Sequence, residues 1–366
     1  MQEFYLAFDQ GNHKAVFIEL EQLEGEERLE GDLVVAIMVI LDIEGDLERA
    51  KAIVDQILAN TDLTQRIGVL ARTQRALIFS WEGNHQEGWR ELELARELFE
   101  SLTAEEKARL RHYEASIYAI AAVLLSHEGN YLQTLENQFQ AIDIAQDEAF
   151  PWKAIIPAIY NNIGLAYEHL GELDKALSAF ERSLALFQEL GNEINQAIPL
   201  GNIGRYYSHW MGNNDRALDY YQQSLEISQK YNWKRILAHT LHSMGSVHHS
   251  QGDFERALDL FQQSLRLNEE IKLVGWDYGQ ALPLYKIFLL YLELQELDHA
   301  KEYLKLLQEF CQTSSAGSAA LPHTLSLFAE ALSLKNSDSG SGPFKKNNRR
   351  SQLRSRLQTI GHAPSL

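Results

Sequence analysis

A single cysteine, Cys311, in 366 residues leaves nothing to build an internal disulfide framework, which excludes the small stapled scaffolds of secreted proteins. Basic side chains are also scarce. Thirty-three Lys and Arg stand against 51 Asp and Glu, and the net charge of −18 argues against a surface for duplex nucleic acid and favours neutral or basic partners. No apolar run approaches the roughly eighteen residues of a membrane span. The start, Met1-Gln-Glu-Phe-Tyr-Leu6, lacks the basic and apolar segments of a secretion signal, so a cytoplasmic protein is expected.

What the chain does have is a repeat. Gly171-Glu-Leu-Asp-Lys-Ala176, Gly212-Asn-Asn-Asp-Arg-Ala217 and Gly252-Asp-Phe-Glu-Arg-Ala257 are the clearest copies, with Gly45-Asp-Leu-Glu-Arg-Ala50 before them. Gly83-Asn84 and Gly129-Asn130 open weaker ones, Gln295 takes the glycine place in a last one, and Gly11-Asn-His-Lys-Ala15 reads as the remnant of a first. Such a period, about 40 residues, means a stack of like units in place of separate globular domains.

Each unit reads as two helices. Before Gly171, Ile163 and Tyr167 lie four apart on one face, and Gly164 permits close approach of a partner helix. Gly171 supplies a left-handed cap, and the polar residues after it accept from the free N–H groups of the next helix. That second helix starts near Asp174 and is expected to turn Ala176, Phe180, Leu184 and Leu186 inward. Pro157, Pro199 and Pro283 fall early in first helices, where irregular starts are expected.

The same set recurs as Ile203, Gly204, Tyr207, Gly212, Ala217 and Tyr221, and as Met244, Gly245, Gly252, Ala257 and Phe261, with His248 in the tyrosine place. These segments resemble tetratricopeptide repeats, whose consensus sets Tyr three after a Gly, Ala twelve after it and Phe four further on. The repeat length resembles the long-helix subgroup of kinesin light chains, the spindle adaptor with Leu-Gly-Asn repeats, and bacterial peptide-sensing regulators. The resemblance implies an all-α fold, a right-handed α-α superhelical solenoid of about seven to eight hairpins. It would occupy residues 1–334, with its best repeats at 155–272, an N-terminal capping repeat at 1–44 and a capping helix at 316–334.

Little points to catalysis. Gly340-Ser-Gly-Pro-Phe-Lys345 lacks the spacing, the Lys-Ser/Thr pair and the preceding strand of a phosphate loop. Cys311 has no cationic setting in the sequence, and the turn carboxylates complement helix dipoles. His239, His242 and His249 share a helix face, yet no carboxylate or thiolate completes a metal site, so no metal and no cofactor is expected.

Asparagines are more informative. Asn162 and Asn202 stand two places before the repeat glycine, and Ser243 takes that place in the third copy. The resemblance implies that such an amide faces a concave groove and bonds a peptide backbone; the alternative is a bond within the seam between repeats. Asn161, Asn162, Asn202, Arg205, His242, Ser243, Ser246 and His249 are the expected groove residues. The function expected is a non-catalytic scaffold holding a partner's peptide segment, or else a regulator sensing a free peptide; self-association is left open. From Lys335 to Leu366 the composition turns basic and low in complexity, and a disordered tail or a pseudo-ligand for the groove is expected there.

Overall fold

The computed structural model describes residues 1–36, 46–146, 153–271 and 277–313, with backbone alone at 277–281 and 311–313. The expected capping helix at 316–334, the phosphate-loop lookalike and the basic tail lie outside the described residues. Every regular element among the described residues is helical. They divide into two compact units, the first holding Met1–Ile203 and Glu226–Trp233, the second Gly204–Leu225, Lys234–Ile271 and residues 277–313.

The first unit contains α1 (Gln2–Asp9), α2 (His13–Gln22), α3 (Gly25–Val35), α4 (Leu47–Leu58), α5 (Gln65–Trp81), α6 (His85–Glu100), α7 (Ala104–Arg109), α8 (Arg111–His127), α9 (Tyr131–Ala145), α10 (Ile155–His169) and α11 (Leu173–Glu189). α12 (Ala197–His209) begins in it and ends in the second unit. The second unit takes most of α13 (Asn214–Lys230), then α14 (Lys234–Ser250), α15 (Phe254–Glu270), α16 (Asp277–Glu293) and α17 (Leu297–Thr313). Successive helices pack as hairpins: α5 on α6, α8 on α9 and α10 on α11 in the first unit, α14 on α15 and α16 on α17 in the second.

Local chemistry makes these hairpins. Gly171 ends its helix at φ +76°, a left-handed conformation that costs glycine nothing. Gln295 adopts φ +64° in the same place without being glycine, so the last turn is made at some strain. After the turns, Asn12, Asp46, Asn84, Asn213 and Asp253 accept from the backbone N–H three residues on. Glu172 makes no such bond.

Between the two helices of a hairpin the glycine and the aromatic fit one another. Phe180, Tyr221 and Phe261 are fully buried, and a Cβ on Gly164, Gly204 or Gly245 would lie 2.4 to 2.8 Å from the ring it faces. Leu184 and Leu186 are only half-buried; the inward positions of α11 are Ala176, Phe180, Ser183 and Phe187. The helix turns its true core stripe one residue away from the expected leucines. Ser183 donates to the Pro157 carbonyl at 2.7 Å, and Ser264 donates to the Ala238 carbonyl at 2.7 Å. In both hairpins a buried serine three residues after the aromatic ties the second helix to the first.

Tyr167, on the face it shares with Ile163, and Tyr207 in the next copy are half-buried, each with a cation over its ring: Lys175 at 5.4 Å and Arg216 at 5.1 Å. Pro157 and Pro199 occupy the third positions of α10 and α12, whereas Pro283 lies inside α16.

Within the first unit the N-terminal hairpin reaches far along the chain. Asp9, buried at the end of α1, accepts from the N–H groups of Lys153 at 3.1 Å and Ala154 at 2.7 Å, and so caps the start of α10 from 145 residues away. Burial outweighs those two bonds and raises the Asp9 carboxyl to about 6. A carboxyl whose folded value exceeds the unfolded one stabilises the protein below the unfolded value, and that contribution is lost as pH rises through about 6. The stability difference between the natural chain and Asp9→Asn is therefore expected to shift in favour of the natural chain by about 1.4 kcal/mol from pH 7.5 to pH 5. Urea unfolding of both proteins at the two pH values checks this, and parallel pH profiles would refute it.

Candidate functional site

The second unit carries one helix face that is polar throughout. On α14, Arg235, His239, His242, Ser246 and His249 follow at intervals of four, three, four and three, which sets them in a narrow stripe along the helix. The opposite side of α14 supplies Leu241, Met244 and Val247 to the core with Ala217, Tyr221 and Leu260. The part of α12 in this unit adds Arg205 and His209, and α16 adds Lys286 and Glu293.

His239 is exposed, yet it is desolvated enough to hold its imidazole at about 4; burial is the main cause, and the positive charges of Arg205, Arg235 and His209 add to it. His242, half-buried, is pushed well below the ordinary histidine value by burial and then by Lys286, His239 and His209. Its ring lies 5.3 Å from that of Phe261, and its buried Nδ1 has no hydrogen-bond partner. Burial lowers Lys286 to about 8, so this amine still carries its proton over most of the time at neutral pH.

The remaining members are engaged locally. Ser246 donates to the His242 carbonyl at 3.1 Å, and His249 Nε2 meets Glu293 Oε2 at 2.9 Å, with both side chains nearly buried. Ser243 is buried, and it falls beside the stripe on the wheel of α14. Among the described residues no group of three His, Cys, Asp or Glu side chains is placed to hold a metal ion.

The asparagines belong to the first unit. Asn202 and Asn161 are both buried, and the Asn202 amide donates to Asn161 Oδ1 at 2.8 Å, joining α12 to α10. This is the seam arrangement: removing either amide leaves a buried polar partner behind. Asn162 is half-buried on α10. The expected residues Arg205, His242, Ser246 and His249 thus come together in the second unit, while the asparagine pair is placed in the first. His239 stands on the same stripe of α14. Arg235, His209 and Lys286 had not been singled out; the four-three spacing from Arg235 to His249 is the signal that finds the first of them.

Residues 155–230 and 208–270 match the model of the tetratricopeptide repeat, so this stretch consists of such repeats. No curated protein is significantly similar to the chain in sequence. Solved structures share the fold. The apo form of the quorum sensor NprR from B. thuringiensis is 17% identical, with 92% of this chain and 95% of that one covered at a TM-score of 0.57. NprR in complex with its cognate peptide NprX gives the same identity and TM-score, covering 92% and 100%. BtubC from P. vanneervenii is 18% identical over 66% of this chain and 91% of its own, at a TM-score of 0.50.

Proposed function

We propose that this chain, in which residues 155–270 are tetratricopeptide repeats, is a non-catalytic scaffold that holds a peptide segment of a partner protein on the polar face of α14 in its second unit. The observation that carries this reading is the stripe on α14. A helix that served packing alone would not need Arg235, His239, His242, Ser246 and His249 aligned on one face, opposite Leu241, Met244 and Val247. Guanidinium, imidazole and hydroxyl groups in such a row supply the donors and acceptors that an extended backbone needs. No described helix is long and apolar enough to cross a membrane. We place the protein in the cytoplasm, in keeping with its one cysteine.

A second reading, a regulator whose polar face senses a free short peptide, draws on the likeness to NprR, a quorum sensor solved with its peptide NprX. The two readings separate by what is retained. Crosslinked pull-downs with the full chain, followed by peptide mapping, are expected to recover a segment of a larger protein for a scaffold and a free peptide for a sensor. In either case the pair Arg235→Ala and His239→Ala is expected to weaken retention about tenfold or more, a loss of at least about 1.4 kcal/mol. Its thermal midpoint should stay close to that of the natural chain. Retention unchanged by these substitutions would rule out the stripe as the binding site.

A further inference from the structure

One helix of the first unit shows a face that the comparable helices do not. On α9, Leu132, Glu136, Phe139 and Asp143 follow at intervals of four, three and four, which sets them in one stripe along the helix. All four are exposed, Leu132 to 66% and Phe139 to 46%. The opposite side of α9 already gives Leu135, Ala141 and Ile142 to a core that includes Ala115 of α8 and Ile159 of α10, so packing does not account for the stripe. α6 and α11 hold the same place in their hairpins and are built otherwise. Neither exposes a large apolar side chain, and each pairs a surface carboxylate with a cation of its own: Glu93 with Arg96 at 3.6 Å and Glu189 with Arg182 at 3.7 Å. α9 contains no Lys or Arg, and among the described residues Glu136 and Asp143 have no ion-pair or hydrogen-bond partner.

We propose that this stripe is a docking face and that residues 349–360 of the chain itself occupy it. The composition of that segment is the complement of the stripe. It holds four arginines and no acidic residue, against two carboxylates and no cation on the stripe. Taken as a helix, it puts Leu353, Leu357 and Ile360 on one side, with Arg350 and Arg354 along one flank and Arg349 and Arg356 along the other. The spacings agree as well. Leu132 and Phe139 are seven residues apart, as are Leu353 and Ile360, so two helices laid side by side bring an apolar pair together at both places. Beside those contacts Glu136 and Asp143 fall within reach of the flanking arginines, whose paired donors match a carboxylate's two oxygens. Covering Leu132 and Phe139 supplies the apolar part of the energy, and the charges supply the register. This is a helix laid on an apolar face, and it lies outside the peptide site proposed on α14.

The test uses the full chain with Phe139 replaced by the photocrosslinker benzoylphenylalanine. Irradiation followed by peptide mapping is expected to join position 139 to residues 349–360, and an excess of a synthetic peptide of residues 345–361 should suppress that product. The mass of the product tells whether the segment comes from the same chain or from a second copy, and either supports the assignment. Hydrogen exchange across residues 349–360 is expected to be about tenfold slower in the natural chain than in the chain carrying Leu132→Ser and Phe139→Ser. Glu136→Lys with Asp143→Lys keeps the apolar contacts and should release the segment by repulsion. All four positions are exposed, so the thermal midpoints of both variants should stay close to that of the natural chain. At about 1 M salt, where the screening length is about 3 Å, crosslinking should fall. A crosslink that maps to any other segment, or exchange across residues 349–360 as fast in the natural chain as in both variants, would overturn the proposal.

Discussion

Replacing Phe180 with alanine is expected to cost the first unit about 3–5 kcal/mol, the range for an aromatic removed from a packed core. Phe180 is fully buried, and it fills space that exists only because residue 164 has no side chain. A Cβ at Gly164 would come within 2.4 Å of the ring edge, with two further ring carbons at 2.5 and 2.9 Å. Helix propensity alone would make Gly164→Ala stabilising by about 1 kcal/mol. The packing reverses that sign: Gly164→Ala is expected to destabilise by about 1–3 kcal/mol through overpacking. Adding Phe180→Leu to Gly164→Ala should return part of the loss, since the shorter side chain yields room to the new methyl. Denaturant unfolding with hydrogen exchange in α10 and α11 measures these variants together with Phe180→Leu alone. A neutral Gly164→Ala, or a double variant as unstable as the two single losses summed, would show that the glycine and the ring are not coupled.

That coupling also explains what could be read from the sequence. Glycine at the turn, alanine beside it and an aromatic four residues on are each demanded by a short-range constraint, so the hairpins from Gly164 to Phe261 announce themselves. Leu184 and Leu186 misled because leucine spacing on α11 fits two adjacent stripes, and the buried Ser183 that fixes the choice is polar. Its bond to the Pro157 carbonyl is what makes a serine acceptable in a core. The contact of Asp9 with the start of α10 has no counterpart in the repeat and spans 145 residues, so no local pattern reveals it.

The candidate residues divide between the two units for a similar reason. Arg205, His242, Ser246 and His249 stand out in the sequence as polar residues on faces expected to be apolar, whereas Asn202, expected to face a groove, is buried and bonds Asn161, one repeat earlier. A short amide bonds whatever lies within reach, and only packing decides which neighbour that is. The burial that lowers His239 and His242 likewise depends on packing between helices, which no local pattern reveals.

An ionic cluster around a buried carboxylate in the first unit should respond about as sharply to the loss of one member. Glu30 on α3 is 2% exposed and receives the Tyr5 hydroxyl from α1 at 2.5 Å and the Arg66 guanidinium from α5. Arg66 Nε also donates to the Tyr113 hydroxyl on α8 at 3.3 Å, and burial holds the neighbouring His112 at about 4, hence uncharged at neutral pH. Four helices thus converge on one carboxylate. Glu30→Leu leaves a phenol without its acceptor and the guanidinium with only the more distant Glu26 carboxylate at 3.8 Å, and removing one side of such a pair costs up to about 3–5 kcal/mol. Removing both sides is different: well-packed apolar replacements of a buried ion pair are often neutral. Glu30→Leu with Arg66→Met should therefore regain most of the loss, whereas Tyr5→Phe alone should cost only about 0.5–1.5 kcal/mol, one hydrogen bond's worth. Urea unfolding gives the four free energies, and hydrogen exchange in α1, α3, α5 and α8 locates them. If the double variant falls as far as the two single losses added together, Glu30 and Arg66 act independently and the cluster is not a unit.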